Sequence, residues 1–117
     1  MANLIYLASP YSHPSEAVRY ARYLAARAIT IEALQAKEAM FSPIVYGKDL
    51  ETIIGTAFEP WTNLNDAMIE ACWQVRVLCL HDWQKSRGVR YEIALATHLQ
   101  KPILYIDSTG KRLNVHP

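Results

Sequence analysis

Short, uninterrupted apolar runs alternate along the chain with longer stretches of helical periodicity. The first run, Leu4–Ala8, has no polar position, which is typical of a strand covered on both faces. Similar runs predict three further strands at residues 40–45, 75–80 and 101–107. Pro43 interrupts the second of these and cannot donate to a sheet, so we expect that strand to lie at the sheet edge or to stop at the proline.

Helical periodicity predicts three main helices between these strands. The first follows Pro14, because a helix tolerates proline at its first position. Its predicted inner face consists of apolar residues spaced four and three apart: Ala17, Ala21, Leu24, Ala28 and Ile31. The last helix is predicted over residues 88–100.

Residues 46–61 have a weak pattern that includes Gly47 and Gly55. A connection of this length is typical of a mobile lid or substrate loop. Asn63 then has the character of a helix N-cap, with Asp66 three residues on as in a capping box. Asp66 therefore has a purely structural interpretation.

The alternation of strand and helix predicts an α/β fold in which helices cover both faces of a parallel sheet. We expect a three-layer sandwich with strand order 2-1-3-4, formed by residues 1–117 as a single domain. In that order the ligand crevice lies between strands one and three. The loop after Ala8 and the turn after Leu80 line it.

Composition and charge narrow the class of partner. Twelve basic and eleven acidic residues leave a net charge of +1, so no overall field attracts a nucleic acid polymer or an anionic membrane. Any anionic ligand needs a local site. The four histidines lack metal-ligand spacing and no nucleotide-cofactor glycine motif is present, so we expect neither a metal nor a cofactor.

The apolar runs and the cysteines predict a soluble, cytoplasmic protein. The run Leu4–Ala8 is too short for a signal peptide or a membrane span. Cys72 and Cys79 occupy apolar surroundings, which indicates two buried, reduced thiols.

The segment from Leu80 to Glu92 contains the strongest chemical signal. A polar turn joins a buried strand to a helix, and it offers donors at Ser86, Gly88 and Val89. The start of the helix favours an anion, and Glu92 lies one turn further along. A serine before a helix is also ordinary capping chemistry, and glutamate is an ordinary helix residue.

Three segments carry a family resemblance: Tyr-Leu-Ala-Ser-Pro-Tyr-Ser at 6–12, Phe-Ser-Pro-Ile at 41–44, and Trp-x-x-Ser-x-Gly-Val-x-x-Glu at 83–92. Together they resemble the nucleoside 2-deoxyribosyltransferase superfamily, over residues 4–106. Residues 86–92 are also similar to the matching segment of its 2'-deoxynucleoside 5'-monophosphate N-hydrolases. The resemblance implies a flavodoxin-like fold, which agrees with the strand order above.

The resemblance also implies three catalytic roles. Glu92 is the nucleophile that attacks the anomeric carbon and holds a covalent deoxyribosyl intermediate, as in retaining glycosidases. Tyr6 donates a hydrogen bond that aims Glu92, and Asp66, 26 residues before Glu92, meets the base nitrogen. The structural alternatives are core packing for Tyr6, helix capping for Asp66 and a solvated helix position for Glu92.

The same resemblance implies residues for the 5' end of the substrate. Ser86 matches the serine that contacts the 5'-phosphate in the monophosphate hydrolases. Ser9, Tyr11 and Ser12, in the loop after the first strand, are further candidate substrate contacts. Asp82 opposes this assignment, because a carboxylate facing the pocket repels phosphate and favours a free nucleoside.

Two classes of function remain open at this point. The first is cleavage of the N-glycosidic bond of a (deoxy)nucleoside or its 5'-monophosphate, by an N-hydrolase or a base-exchanging deoxyribosyltransferase. The second is a non-catalytic nucleotide-binding module on the same fold. Nothing in residues 46–61 identifies the base. We expect a homodimer or higher homo-oligomer, with Trp61, Leu64 and Met68 as its exposed apolar interface.

Overall fold

The computed structural model describes residues 3–115 as one sheet with its covering helices. The strands are β1 (Leu4–Ala8), β2 (Ala39–Phe41), β3 (Gln74–Leu78), β4 (Ile103–Ile106) and β5 (Arg112–Leu113). The helices are α1 (Glu16–Gln35), α2 (Pro43–Gly47), α3 (Glu51–Ile54), α4 (Phe58–Ala71) and α5 (Arg87–His98). A short 3₁₀ turn, Trp83–Lys85, precedes α5.

The sheet has the order β2-β1-β3-β4-β5, so the predicted order 2-1-3-4 is confirmed. The first four strands are parallel, with Tyr6 of β1 opposite Phe41 of β2 and Val75 of β3. Strand β5, which we did not predict, pairs antiparallel with β4 at the edge. Strand β1 is followed in the sheet by β2 on one side and by β3 on the other. The connections after β1 and β3 therefore lead away in opposite directions, and a crevice forms between them.

Helices cover both faces of the sheet, as expected for a flavodoxin-like α/β fold. Helix α1 packs on one face, against Ile5 and Leu7 of β1. Helices α4 and α5 pack on the other face, which carries Tyr6 and Ala8. The alternation of side chains along β1 therefore sends Tyr6 toward the two helices that bear the candidate site residues.

The second strand lies at the sheet edge and stops before Pro43, as expected, but it covers only Ala39–Phe41 rather than residues 40–45. It ends at Phe41, and Ser42 caps helix α2 by accepting a hydrogen bond from the Val45 amide at 3.2 Å. Pro43 occupies the first turn of that helix, where its missing N–H costs nothing. The proline begins a helix here.

Helix α4 begins earlier than predicted, so the expectation of an N-cap at Asn63 was also wrong. The helix starts at Phe58, which leaves both Asn63 and Asp66 in its interior. Capping therefore does not account for Asp66. Residues 46–61 contain the end of α2, all of α3 and the start of α4.

The predicted inner face of α1 is exposed instead. Leu24 and Ile31 are 42% and 39% exposed, and Ala17, Ala21 and Ala28 are exposed as well. The face that packs on the sheet carries Ala26, Ile29, Thr30 and Ala33. Alanine is abundant all around this helix, so it has two apolar faces, and periodicity selected the one that the sheet leaves free.

The predicted exposure of Trp61, Leu64 and Met68 was wrong too. All three residues are half-buried, and Met68 packs against the core between the sheet and α4. Of the two thiols, Cys72 is buried and Cys79 half-buried, and neither forms a disulfide. Within residues 3–115, no helix combines the length and the hydropathy that crossing a membrane requires.

Candidate active site

A cavity of about 440 Å³ opens where β1 and β3 end, between the first loop, the α2–α3 segment, α4 and the start of α5. Seven of the predicted site residues line it: Ser9, Tyr11, Ser12, Asp66, Ser86, Gly88 and Glu92. Tyr6 lies behind Glu92 in the core, whereas Val89 is fully buried and Asp82 lies on an exposed turn. The two polar junctions expected from the sequence therefore converge on one cavity.

Glu92 and Tyr6 meet at the floor of this cavity. Helix α5 buries Val89 and Ala96 against the sheet, and this orientation turns Glu92 toward the end of β1. The Tyr6 hydroxyl, fully buried, donates a short hydrogen bond to Glu92 Oε2. This bond leaves Oε1 free of protein hydrogen bonds among residues 3–115, so that oxygen is available to a ligand.

Burial sets the charge state of Glu92. The pKa of this carboxyl is raised to about 8, chiefly by burial; the Tyr6 hydrogen bond lowers the pKa and the nearby Asp66 charge raises it. Burial and Glu92 also raise the pKa of Tyr6 well above its usual range, so the phenol stays a neutral donor. A carboxyl whose pKa is shifted so far by its surroundings is characteristic of a functional site.

Asp66 is held by a residue that we did not predict. The Tyr91 hydroxyl donates to the Asp66 carboxylate at 2.8 and 2.9 Å, and the Tyr91 ring packs edge-on against Phe58 at 5.3 Å. Tyr91 and Asp66 both line the cavity. The position of Tyr91 beside Glu92 in the motif was visible in the sequence, but a contact 25 residues away was not.

The turn before α5 combines capping with anion-binding chemistry. Ser86 Oγ accepts a hydrogen bond from the Val89 amide at 3.2 Å. The prediction that this amide binds the ligand is therefore wrong. The Ser86 hydroxyl proton and the Gly88 amide, in the first turn, remain available. Lys85 and Arg87 add positive charge at the same wall. A Cβ built on Gly88 meets only Ser86 Oγ, at 3.9 Å, so a ligand has room there.

Asp82 is not brought together with these residues. It adopts a left-handed backbone conformation with φ of 62°, and its carboxylate lies 3.7 Å from Lys85 Nζ and 3.4 Å from His81 Nε2. It does not line the cavity. Asp82 therefore adds no carboxylate to the cavity wall, although it partly neutralises Lys85, which does line the wall.

A second unpredicted cluster closes the opposite end of the cavity. Tyr11 donates to Glu51 Oε1 at 2.6 Å, and Lys48 Nζ lies 3.0 Å from both the Tyr11 hydroxyl and Glu51 Oε1. Lys48 also lies over the rings of Tyr11 and Tyr23, at 5.4 and 5.6 Å from their centroids. These contacts tie the first loop and α1 to the α2–α3 segment.

Trp61 forms the wall beside this cluster. Its indole N–H donates to the Gly55 carbonyl at 3.1 Å. Its ring lies so close to Gly47 that a Cβ at that position would be 3.0 Å from two ring carbons. The ring is therefore held both at its edge and from behind.

Comparison with known proteins gives the family of the chain. A family model described as Domain of unknown function (DUF1937) matches residues 3–108. The chain belongs to this family. No curated protein matches it significantly.

Two solved structures share the fold of this DUF1937 chain. One is the 2-deoxyribosyltransferase from the psychrotolerant bacterium Bacillus psychrosaccharolyticus, with a TM-score of 0.64, 19% identity, and coverage of 95% of this chain and 77% of that one. The other is the 2-desoxiribosyltransferase from Leishmania mexicana, with a TM-score of 0.56, 24% identity and coverage of 90% of this chain. The chain spans 64% of the length of the Leishmania protein. These matches confirm the resemblance to deoxyribosyltransferases at the level of the fold.

The raised pKa of Glu92 predicts a pH-dependent cost in stability. The unfolded carboxyl ionises near its usual pKa of 4.5, whereas the folded one ionises near 8, so wild-type stability is lost as the pH rises between these values. Glu92→Gln has no charge to bury. As the pH rises, the free energy of unfolding of the variant should increase relative to that of wild type by at most about 1.4 kcal/mol per pH unit. The difference should reach on the order of 2–4 kcal/mol by pH 9.

Urea denaturation between pH 5 and pH 9 measures this difference. Glu59→Gln is the matched control, because the Glu59 side chain is 78% exposed and its loss should leave the difference flat with pH. Parallel curves for wild type and Glu92→Gln would show that Glu92 is not buried as described.

Proposed function

We propose that this protein cleaves the N-glycosidic bond of a deoxynucleoside or its 5'-monophosphate, with Glu92 as the nucleophile. The observation that carries the proposal is the pair of hydrogen bonds at the cavity, from Tyr6 to Glu92 and from Tyr91 to Asp66. Two carboxylates, each aimed by a tyrosine, face one space. The fold shared with two deoxyribosyltransferases supports the same conclusion.

In the first step, an oxygen of Glu92, in the ionised form that predominates above about pH 8, attacks the anomeric carbon of the sugar. The carbon–oxygen bond forms as the carbon–nitrogen bond breaks, and the electron pair of the broken bond leaves with the base. Asp66, held by Tyr91, meets the departing nitrogen as a proton donor or hydrogen-bond partner. The positive charge that develops on the sugar is stabilised by the negative charge of Glu92 at the cavity floor.

In the second step, an acceptor attacks the same carbon and releases Glu92. Water as acceptor gives a hydrolase, and a second base gives a base-exchanging transferase. Two displacements at one carbon retain its configuration. The cavity lies open to solvent on one side, so water reaches the ester and hydrolysis is the outcome that we propose.

The wall at the start of α5 supports a 5'-monophosphate as the substrate. Ser86, Gly88, Lys85 and Arg87 supply a hydroxyl, a free amide and two positive charges. The Arg87 guanidinium stacks on the Phe58 ring at 4.5 Å and lies 3.9 Å from Glu59 Oε1, so its direction is constrained. Charge-assisted hydrogen bonds to phosphate oxygens are stronger than those to a free hydroxyl.

We also propose that the protein is cytoplasmic. Cys72 and Cys79 are both unpaired, which is compatible with a reducing compartment.

Glu92→Gln should abolish release of free base while preserving ligand binding. Glutamine still accepts the Tyr6 hydrogen bond but is a poor nucleophile, so we expect a loss of about 10³-fold or more in kcat. Chromatography of deoxynucleoside 5'-monophosphates incubated with each protein measures the free base. Near wild-type turnover in the variant contradicts the proposed role. A wild type that binds a nucleotide and leaves it intact indicates a non-catalytic binding module instead.

Ser86→Ala should lower selectivity for the phosphorylated substrate. Loss of a hydrogen bond to a charged group costs about 1.5–3 kcal/mol, which is roughly ten- to a hundredfold in kcat/KM for the monophosphate. Activity on the unphosphorylated nucleoside should change little. Ser15→Ala is the matched control, because Ser15 caps α1 in the same way through the Val18 amide but does not line the cavity.

If the wild type prefers the free nucleoside, the wall around Ser86 binds a 5'-hydroxyl rather than a phosphate. The protein would then belong with the nucleoside transferases in its choice of substrate.

We further propose that two copies of the chain associate through the exposed stripe of α1. The stripe alternates the small residues Ala21 and Ala28 with the larger Leu24 and Ile31 at heptad spacing. In a two-fold pair of antiparallel helices, each large side chain meets a small one, so the surface complements itself. At about 1.5 Å per residue the 20-residue helix gives a face about 30 Å long, which suits a dimer contact.

Light scattering at micromolar concentration tests this pairing. We expect a dimeric mass for wild type and for the control Ile53→Lys, whose side chain is 89% exposed on α3. Ile31→Lys introduces a charge into the proposed contact and should give a monomer. A monomeric wild type would rule out the pairing.

A further inference from the structure

The cavity wall formed by α2, α3 and the first half of α4 has an excess of hydrogen-bond acceptors. From this excess we infer that the base of the substrate carries an exocyclic amino group, as adenine and cytosine do, where their deaminated counterparts carry a carbonyl. The inference rests on the proposed function, and it concerns the end of the cavity remote from Ser86.

The layout of the sheet indicates which end receives the base. The phosphate-binding turn follows β3, and Glu92 lies over the neighbouring strand β1 through its bond to Tyr6. A ligand that starts at the turn and places its sugar at Glu92 continues toward β2. The α2–α3 segment follows β2, so its residues meet the base.

Three donors on this wall are committed to the protein. The Trp61 indole N–H donates to the Gly55 carbonyl at 3.1 Å, and the Thr62 hydroxyl donates to the Phe58 carbonyl at 3.1 Å. The Tyr11 hydroxyl donates to Glu51 at 2.6 Å. The proton that each of these groups could donate to a ligand is already in a hydrogen bond within the protein.

Two acceptors on the same wall are not committed. Glu51 Oε1 receives both Tyr11 and Lys48, but Glu51 Oε2 receives no hydrogen bond from residues 3–115. Asn65 Oδ1 is buried and likewise has no partner within the described chain. Both residues line the cavity. A buried acceptor without a partner is unfavourable, so a ligand that supplies N–H groups here gains by satisfying it.

An amino group satisfies this wall and a carbonyl does not. The N–H protons of an exocyclic amino group point at the free Glu51 oxygen, whereas a carbonyl oxygen at the same place faces a negative charge. The Asn65 amide can accept from the amino group and donate to the ring nitrogen beside it, which is the pairing that amides make with adenine. Lys48 and Tyr11 hold the Glu51 carboxylate in position.

Binding to Glu92→Gln tests the inference without turnover. We expect calorimetry to show the 5'-monophosphates of deoxyadenosine and deoxycytidine binding about ten- to a hundredfold more tightly than those of deoxyinosine and deoxyuridine. Adding Glu51→Gln, which can donate to a carbonyl, should reduce each ratio to within about threefold. Glu59→Gln, at an exposed glutamate outside the cavity lining, should leave the ratios unchanged.

Lys48→Gln separates base recognition from the integrity of the cluster. This variant loses the ion pair at 3.0 Å but keeps the Glu51 carboxylate, so the preference for amino bases should persist. Equal affinities for amino and carbonyl bases, or no nucleotide binding at all, would overturn the inference. A preference found in a protein that releases no base would overturn the proposed catalysis alone.

Discussion

The placement of a carboxylate at the buried end of the central strand constrains the rest of this molecule. Glu92 reaches that place because α5 packs Val89 and Ala96 on the sheet, and Tyr6 anchors it from β1. Burial opposes its ionisation, so the surroundings must compensate whenever the carboxylate carries a charge. The hydrogen bond from Tyr6 is one such compensation, and Oε1, which faces the open cavity without a protein partner among residues 3–115, can receive another from a ligand.

The same constraint explains the arrangement of the carboxylates around the cavity. Asp66 lies close enough to raise the pKa of Glu92, and Tyr91 directs it into the same space. Glu51 lies at the other end, where Lys48 neutralises it through a contact of 3.0 Å. The cavity thus carries Lys85 and Arg87 at one wall, carboxylates at its floor and the Glu51 carboxylate at the opposite wall.

The sequence predicted the parallel sheet and its order because strands and helices alternate along the chain, and apolar runs such as Leu4–Ala8 are typical of strands covered on both faces. It failed where two readings of one pattern were equally good. Helix α1 has two apolar faces, and only contact with the sheet decides that Ile29 rather than Ile31 is buried. Pro43 disrupts a strand and begins a helix equally well, and the cap from Ser42 decides between them.

The site was predicted as far as local motifs extend. Ser86 and Glu92 lie close together in sequence, in the turn before α5 and in α5 itself. Tyr6 and Asp66 lie in other elements, and they were predicted only from the family resemblance. Glu51 was missed because residues 46–61 contain the end of α2, all of α3 and the start of α4, and these pieces are too brief for periodicity to register. Asn65 lies in the interior of α4, where no local motif distinguishes it. The contact of Glu51 with Tyr11 depends on the sheet, which brings distant segments to one edge.

The fixed position of Trp61 determines how the cavity responds to what enters it. Gly47 supports the indole ring from behind and the Gly55 carbonyl holds its edge, so the ring can neither retreat nor rotate without losing a contact. This wall therefore limits the thickness of the ligands that the cavity admits. A flat aromatic ligand fits beside it at no cost, whereas a bulkier one has to displace the whole helical segment from α2 to α4.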